Sequence, residues 1–146
     1  MRTYQQTETY KNDRNFGCGK EVCLLGIIQN RFDGSLNLSP TRYSTFDYVG
    51  TACCVELKSR RCKKCTFPDT MINYNKIQAM LCEPRHCYCV FSFLDGNFFV
   101  EITPEIVKQF RKGTGGRCDR GQIEQQMYYF IPVNLLSPLE LPSDDK

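Results

Sequence analysis

Asp47, Glu56 and Lys58 are charged residues set among strand formers. Tyr48-Val49 and Cys53-Cys54-Val55-Glu56-Leu57 flank a Gly50-Thr51 turn and read as a β-hairpin. Side chains alternate faces along a strand, so Glu56 and Lys58 share one side while Val55 and Leu57 share the other. With Asp47 opposite them across the hairpin, two carboxylates and an ammonium converge. That set suits a hard divalent cation and the phosphate it would hold, and the chemistry it implies is metal-assisted phosphodiester hydrolysis. A Glu-x-Lys pair is also a common surface ion pair. The cysteine- and valine-rich hairpin argues instead for a central strand, where charge needs a partner or a function.

The elements around the hairpin must position these groups. Residues 1 to 18 are polar, with glycines at 17 and 19, and read as an arm or short helix leading in. From Lys20 to Phe32 the apolar residues follow a helical period, and Asp33-Gly34 supplies a stop. Glu21 lies on the stripe of Leu25, Ile28 and Phe32, so a carboxylate on the buried edge of this helix can reach the hairpin, although a first-turn glutamate also answers the helix dipole. Leu36-Asn37-Leu38 is a short strand candidate, and Ser39-Pro40-Thr41-Arg42 is a turn that brings Arg42 toward Asp47. Arg60, Arg61, Lys63 and Lys64 follow the hairpin directly, a basic run that can hold a nucleic-acid backbone or stand as a solvated loop.

Pro68-Asp69 reads as a turn ending in a cap, and Thr70 to Leu81 as a second helix, carrying Lys76 and closed by Pro84. Cys87–Phe93 and Asn97–Ile102 flank Leu94-Asp95-Gly96, a clear hairpin signal that extends the sheet. Thr103-Pro104 opens a short helix with Ile106, Val107 and Phe110 on its apolar side. Residues 113 to 121 read as a glycine-rich basic loop that lacks the Gly-Lys-Ser/Thr ending of a phosphate-binding loop. Met127–Val133 reads as a last strand, with Pro132 placing its end at a sheet edge, and residues 143–146 are a polar tail.

A chain of 146 residues is most simply one domain, with 41% hydrophobic and 24% charged residues. No stretch approaches the roughly 18 to 20 apolar residues that cross a bilayer, and the first residues have no apolar segment typical of a secretion signal. The expectation is an intracellular protein, in cytoplasm or nucleus, whose ten cysteines are mostly reduced. A net charge of +3 permits a nucleic-acid partner without requiring one.

Cysteine also offers a competing reading. Cys62-x-x-Cys65 has the spacing of half a zinc site, and Cys82, His86, Cys87 and Cys89 are candidates for the other half, although Cys87 and Cys89 on one strand would point to the same face. This alternative is a zinc-stabilised nucleic-acid-binding or protein-interaction module without catalysis. The single histidine gives little support to histidine-based acid-base or Cys-His nucleophilic chemistry.

The order of features is a helix with Glu21, a hairpin with Asp47 and Glu56-Leu57-Lys58, a helix with Lys76, and an aromatic hairpin. It resembles the PD-(D/E)xK nuclease superfamily over residues 17 to 102. Val55-Glu56-Leu57-Lys58-Ser59-Arg60, then Pro68-Asp69-Thr70-Met71-Ile72 with Asn75-Lys76, then Val90-Phe91-Ser92-Phe93 with Asp95-Gly96, is similar to small nucleases of phages and large DNA viruses. Ile131-Pro132-Val133 would fit their final strand.

The resemblance implies an α/β fold with a restriction-endonuclease-like αβββαβ core, a mixed central sheet flanked by helices, and residues 103–146 as a C-terminal addition. It implies a metal-dependent DNA endonuclease acting in recombination or repair. Asp47, Glu56 and the Leu57 carbonyl would bind Mg²⁺ or Mn²⁺, Glu21 would hold a water on the ion or a second ion, and Lys58 would orient the attacking water. Arg42, Arg60, Arg61, Lys63, Lys64 and Lys76 would hold DNA. Phe46 stands where the proline that names the motif would be. Superfamily members often pair two sites, so a homodimer is an expectation, with Phe98-Phe99 or Ile131-Pro132-Val133 as contacts that core burial explains equally well.

Overall fold

The computed structural model describes residues 8–41, 44–117 and 124–140. The chain runs α1 (Glu8–Arg31), β1 (Asn37–Leu38), β2 (Tyr48–Val49), β3 (Cys53–Ser59), β4 (Asp69–Asn73), α2 (Tyr74–Cys82), β5 (His86–Phe93), β6 (Gly96–Glu101), α3 (Pro104–Val107), β7 (Arg111–Arg117), β8 (Glu124–Pro132) and β9 (Ser137–Pro138). Among the described residues the strands form a six-stranded sheet in the order β1-β2-β3-β5-β6-β9 and a three-stranded sheet in the order β4-β8-β7. The α1-β1-β2-β3-α2-β5 succession within this order is the expected αβββαβ core, and its sheet is mixed. β3 pairs with β5 in parallel, while the other pairs are antiparallel.

A parallel pair needs a crossover, here the segment holding β4 and α2, and its strands are covered on both faces. Cys53 to Leu57 are accordingly all buried. Alternation divides them between two apolar clusters. Cys53, Val55 and Leu57 pack with Leu24 and Ile28 of α1 and with Val90. Cys54 faces the other way, onto a cluster holding Ile77 and Met80 of α2, Cys89, Phe91, and Ile131 of β8. Each fully buried aliphatic contributes roughly 1.5–3 kcal/mol. The two clusters together can therefore hold one buried carboxylate in β3 despite its desolvation cost of several kcal/mol.

Four expectations are corrected. The first helix starts at Glu8 and not at Lys20, so of the arm or short helix expected before it, the residues from Glu8 on belong to one continuous α1. Once a helix is nucleated downstream, extending it through polar residues costs little. Thr70-Met71-Ile72 is not helical: Thr70 and Ile72 are buried while Met71 is exposed, a period of two that pairs with β8. The helix instead starts after Asn73, whose side chain accepts from the Asn75 N–H as N-cap. The glycine-rich stretch is a strand through Arg117, and a Cβ on Gly113 would meet the Phe130 ring at 3.0 Å, so the missing side chain lets β7 lie against β8. Residues 118–121 of that stretch lie outside the described residues.

The last correction concerns β8, which is the middle strand of its sheet and not an edge. Pro132 is tolerated as its final residue, after which Val133 donates to the Pro68 carbonyl. Gly96, at φ 151°, closes the β5-β6 hairpin in a conformation that side-chain-bearing residues rarely adopt. Thr103 caps α3 by accepting from the Ile106 N–H. Among the described residues no helix is long and apolar enough to cross a membrane.

Candidate active site

The β2-β3 ladder pairs Tyr48 with Val55 and Val49 with Cys54. One step further the register sets Asp47 opposite Glu56, so both carboxylates fall on the α2 face of the sheet. β2 begins only at Tyr48, which leaves the Leu57 N–H without a ladder partner on that edge. Asp47 Oδ2 accepts it at 2.8 Å. The Leu57 carbonyl projects from the same edge of β3, because a residue's N–H and C=O point to the same side of a strand.

Glu56 is only 5% exposed. Its Oε2 lies 3.5 Å from Lys58 Nζ and its Oε1 lies 3.3 Å from Lys76 Nζ. Oε1 is sealed from solvent and has no hydrogen-bond partner, so the Lys76 ammonium neutralises it without hydrogen-bond geometry. Burial, and then the charge of Asp47, raise the Glu56 pKa, while Lys58 and Lys76 oppose the rise. Lys76 also donates to the Thr45 carbonyl and stands 5.7 Å from the centre of the Phe46 ring. Ser39 donates through its side chain to the Phe46 carbonyl and through its backbone to Asp47 at 2.9 Å. The segment that presents Asp47 is thus held from two sides.

Glu21 comes from α1, on the other face, and reaches the cluster around the sheet edge. Tyr48 donates from its hydroxyl to the Glu21 carbonyl at 2.8 Å, which fixes the helix at this point. The Glu21 pKa is raised to about 7 by desolvation, then by the charge of Asp47 and a shared hydrogen bond with it, and last by Glu56. Three carboxylates therefore face two ammoniums, and a proton held on Glu21 offsets part of the excess negative charge.

Two clefts flank this cluster. One, of about 280 Å³, is lined by Glu21, Asp47, Phe46 and Ser39. The other, of about 790 Å³, runs from Lys58 past Arg60 and Lys64 to β4. Among the described residues no three His, Cys, Asp or Glu side chains form a closed metal cage. Glu21, Asp47 and Glu56 are coupled as charges without closing around one point. The donor set nonetheless fits a hard divalent ion: the ligands are oxygens, one is buried and lacks a hydrogen bond, and like charges are held together.

The cysteine set is spread out. Cys65 and Cys82 are exposed and Cys62 packs against the core, while His86 Nδ1 lies 2.9 Å from Glu101. Cys87 and Cys89 share one buried face, as the strand period requires. Burial pushes the Cys87 thiol up to about 12 and Cys89 well above its ordinary value, which disfavours the thiolates a zinc ion needs. These six residues do not gather into a metal site.

The basic residues separate into different roles. Arg42 lies outside the described residues. Arg60 is a brace: its Nε donates to Thr70 Oγ1 at 3.1 Å, its Nη2 to the Met71 carbonyl at 2.6 Å, and its guanidinium lies 5.6 Å from the centre of the Phe91 ring. Arg61 and Lys63 are exposed, while Lys64 is half-buried beside the Phe98 ring. Lys76 turns toward Glu56 and stays partly exposed to solvent. Sequence reasoning missed this partnership and the Tyr48 contact, since each joins residues 20 or more positions apart and leaves no local pattern.

A family model described as "Phage putative PDDEXK endonuclease" matches residues 40–139, more than half of the chain. The chain belongs to this PDDEXK endonuclease family. The match takes in Asp47, Glu56 and Lys58 and begins after Glu21. No curated protein and no solved structure matches the chain. The matched stretch includes the central strand that carries Glu56 and Lys58.

Proposed function

We propose that the protein is a divalent-metal-dependent DNA endonuclease. The observation that carries the reading is the buried Glu56 carboxylate, set opposite Asp47 so that two like charges share the α2 face beside Lys58 and Lys76. Two carboxylates held together at a buried strand cost stability, and a bound cation would offset that cost. Asp47, Glu56 and the Leu57 carbonyl would hold Mg²⁺ or Mn²⁺, and Glu21 would serve its outer side. The ion, when bound, polarises a phosphoryl oxygen and lowers the pKa of a bound water.

Lys58 does the remaining work at the phosphate. Its side chain is 36% exposed and its amine reaches both Glu56 and the larger cleft, so it can orient a water and meet negative charge developing on the phosphate. Lys76 fixes Glu56 and the Asp47 segment as a positioning residue. Arg61, Lys63 and Lys64 would contact the DNA backbone, and so would Arg42.

The test is cleavage of a labelled DNA panel (four-way junction, flap, blunt duplex and single strand) in Mg²⁺, Mn²⁺ or EDTA. Cutting is expected with metal only, and Glu56→Gln should reduce it by about 100-fold or more. The variant should keep the wild-type circular dichroism, because Lys58 and Lys76 both retain access to water. Equal cutting by wild type and variant would refute the assignment.

A further inference from the structure

The larger cleft begins at Lys58 and ends on residues that phosphate hydrolysis does not need. Its lining includes Lys58 and Lys64, Met71 and Asn73 of β4, Tyr128 of β8, and Phe67. Phe67 is 59% exposed and Met71 40%, although both are large apolar side chains beside a basic segment. At about 790 Å³ the cleft is the size of pockets that bury small organic ligands, roughly 300–1,000 Å³.

Three features limit what can occupy it. Of its charged residues, Asp69 is paired with Arg111 at 3.4 Å and Arg60 is spent on Thr70 and Met71. Lys58, shared with Glu56 but 36% exposed, and Lys64, beside the Phe98 ring, supply the positive charge of the lining, which favours an anion. The apolar surfaces favour a flat ring: an exposed phenyl, an exposed thioether and a half-buried phenol in one lining can take the face of a base. Duplex DNA keeps its base faces stacked and would use the lysines alone. A strand with an unpaired nucleotide offers phosphate and open base together.

We propose that this cleft binds one unpaired nucleotide of the DNA strand, next to the phosphate that meets Lys58. The proposal rests on the nuclease reading for its substrate and goes further in naming the DNA structure selected, one with unpaired bases at a flap, overhang or junction. Phe67 would stack on the base, Met71 would close the other side, and Lys64 would meet the flanking phosphate.

Binding is measured by fluorescence anisotropy in EDTA, where no cutting occurs, with a blunt duplex and the same duplex bearing a five-nucleotide single-stranded overhang. Wild type is expected to bind the overhang DNA about 5-fold or more tightly than the blunt DNA, the lower bound for loss of one stacked base. Phe67→Ala, and independently Met71→Ala, should remove most of that preference while leaving blunt-duplex affinity the same. Equal wild-type affinities, or a preference that both variants keep, would overturn the proposal. Failure of the nuclease reading would show separately, as absence of metal-dependent cutting by a protein that still prefers overhangs.

Discussion

Glu21 gives a prediction whose sign and size follow from its surroundings. Its pKa rises from an ordinary 4.5 to about 7, first through desolvation and then through Asp47. Below pH 4.5 the folded and unfolded chains both carry the proton, so the group has no effect. Between 4.5 and about 7 the unfolded chain releases it while the folded chain keeps it, and stability falls as pH rises. The gap, at about 1.36 kcal/mol per pH unit, sets a ceiling of about 3.4 kcal/mol. The side chain retains solvent contact, and screening brings the expected loss to about 1 kcal/mol. Urea unfolding in EDTA at pH 5 and pH 8 measures it. Wild type should lose about 1 kcal/mol more than Glu21→Gln between these values, and the variant should be the more stable protein at pH 8. Parallel pH profiles would refute the account, because they would mean that Glu21 ionises without regard to Asp47 and Glu56.

Magnesium should raise the stability of the wild-type protein by about 2.7 kcal/mol at one hundred times its Kd, and leave Glu56→Gln nearly unchanged, as thermal unfolding with and without the ion would show. Arg60→Ala should cost about 2–4 kcal/mol through the orphaned Thr70 and Met71 groups; Arg60→Lys should not restore it, and a variant of full stability would return Arg60 to the DNA-contact role expected from sequence. Ile131→Ala should cost about 2–5 kcal/mol at every protein concentration, since Ile131 is fully buried within the protomer; a loss that vanished on dilution would place it at an interface between copies.

The site was legible where its geometry is local. Glu56 and Lys58 are two apart on one strand, and the turn at Gly50 sets Asp47 opposite them within the same hairpin, so a period of two and one register are enough to group them. Glu21 was legible as a helix-face position, although nothing in its neighbourhood foretells that desolvation and Asp47 would hold its proton. The β5-β6 hairpin was marked by Asp95-Gly96. What sequence could not supply were contacts made by folding distant segments together. Arg60 sits in a basic run that reads as solvent-facing, and only the approach of β4 turns it into a half-buried brace. The glycines from 113 read as a loop because glycine weakens a strand in isolation; at Gly113 the lack of a side chain instead leaves room for the Phe130 ring of the neighbouring strand.

The misplaced start of α2 shows how a local ambiguity alters the site. Thr70, Met71 and Ile72 are too few to separate a period of two from a period of 3.6, and Pro68-Asp69 resembles a helix start. β8 decides it: with Ile131 opposite Thr70 and Tyr129 opposite Ile72, the segment gains a ladder that a helix would forfeit. The cap then falls on Asn73, four residues later, just over one helical turn. Lys76 consequently stands in the first turn of α2 and not in its middle, beside Thr45 and Phe46, where its amine meets Glu56 Oε1. A strand in the second sheet therefore sets the phase of the helix that neutralises the buried carboxylate, so that a change in β4 should act on the site through Lys76 without touching either carboxylate.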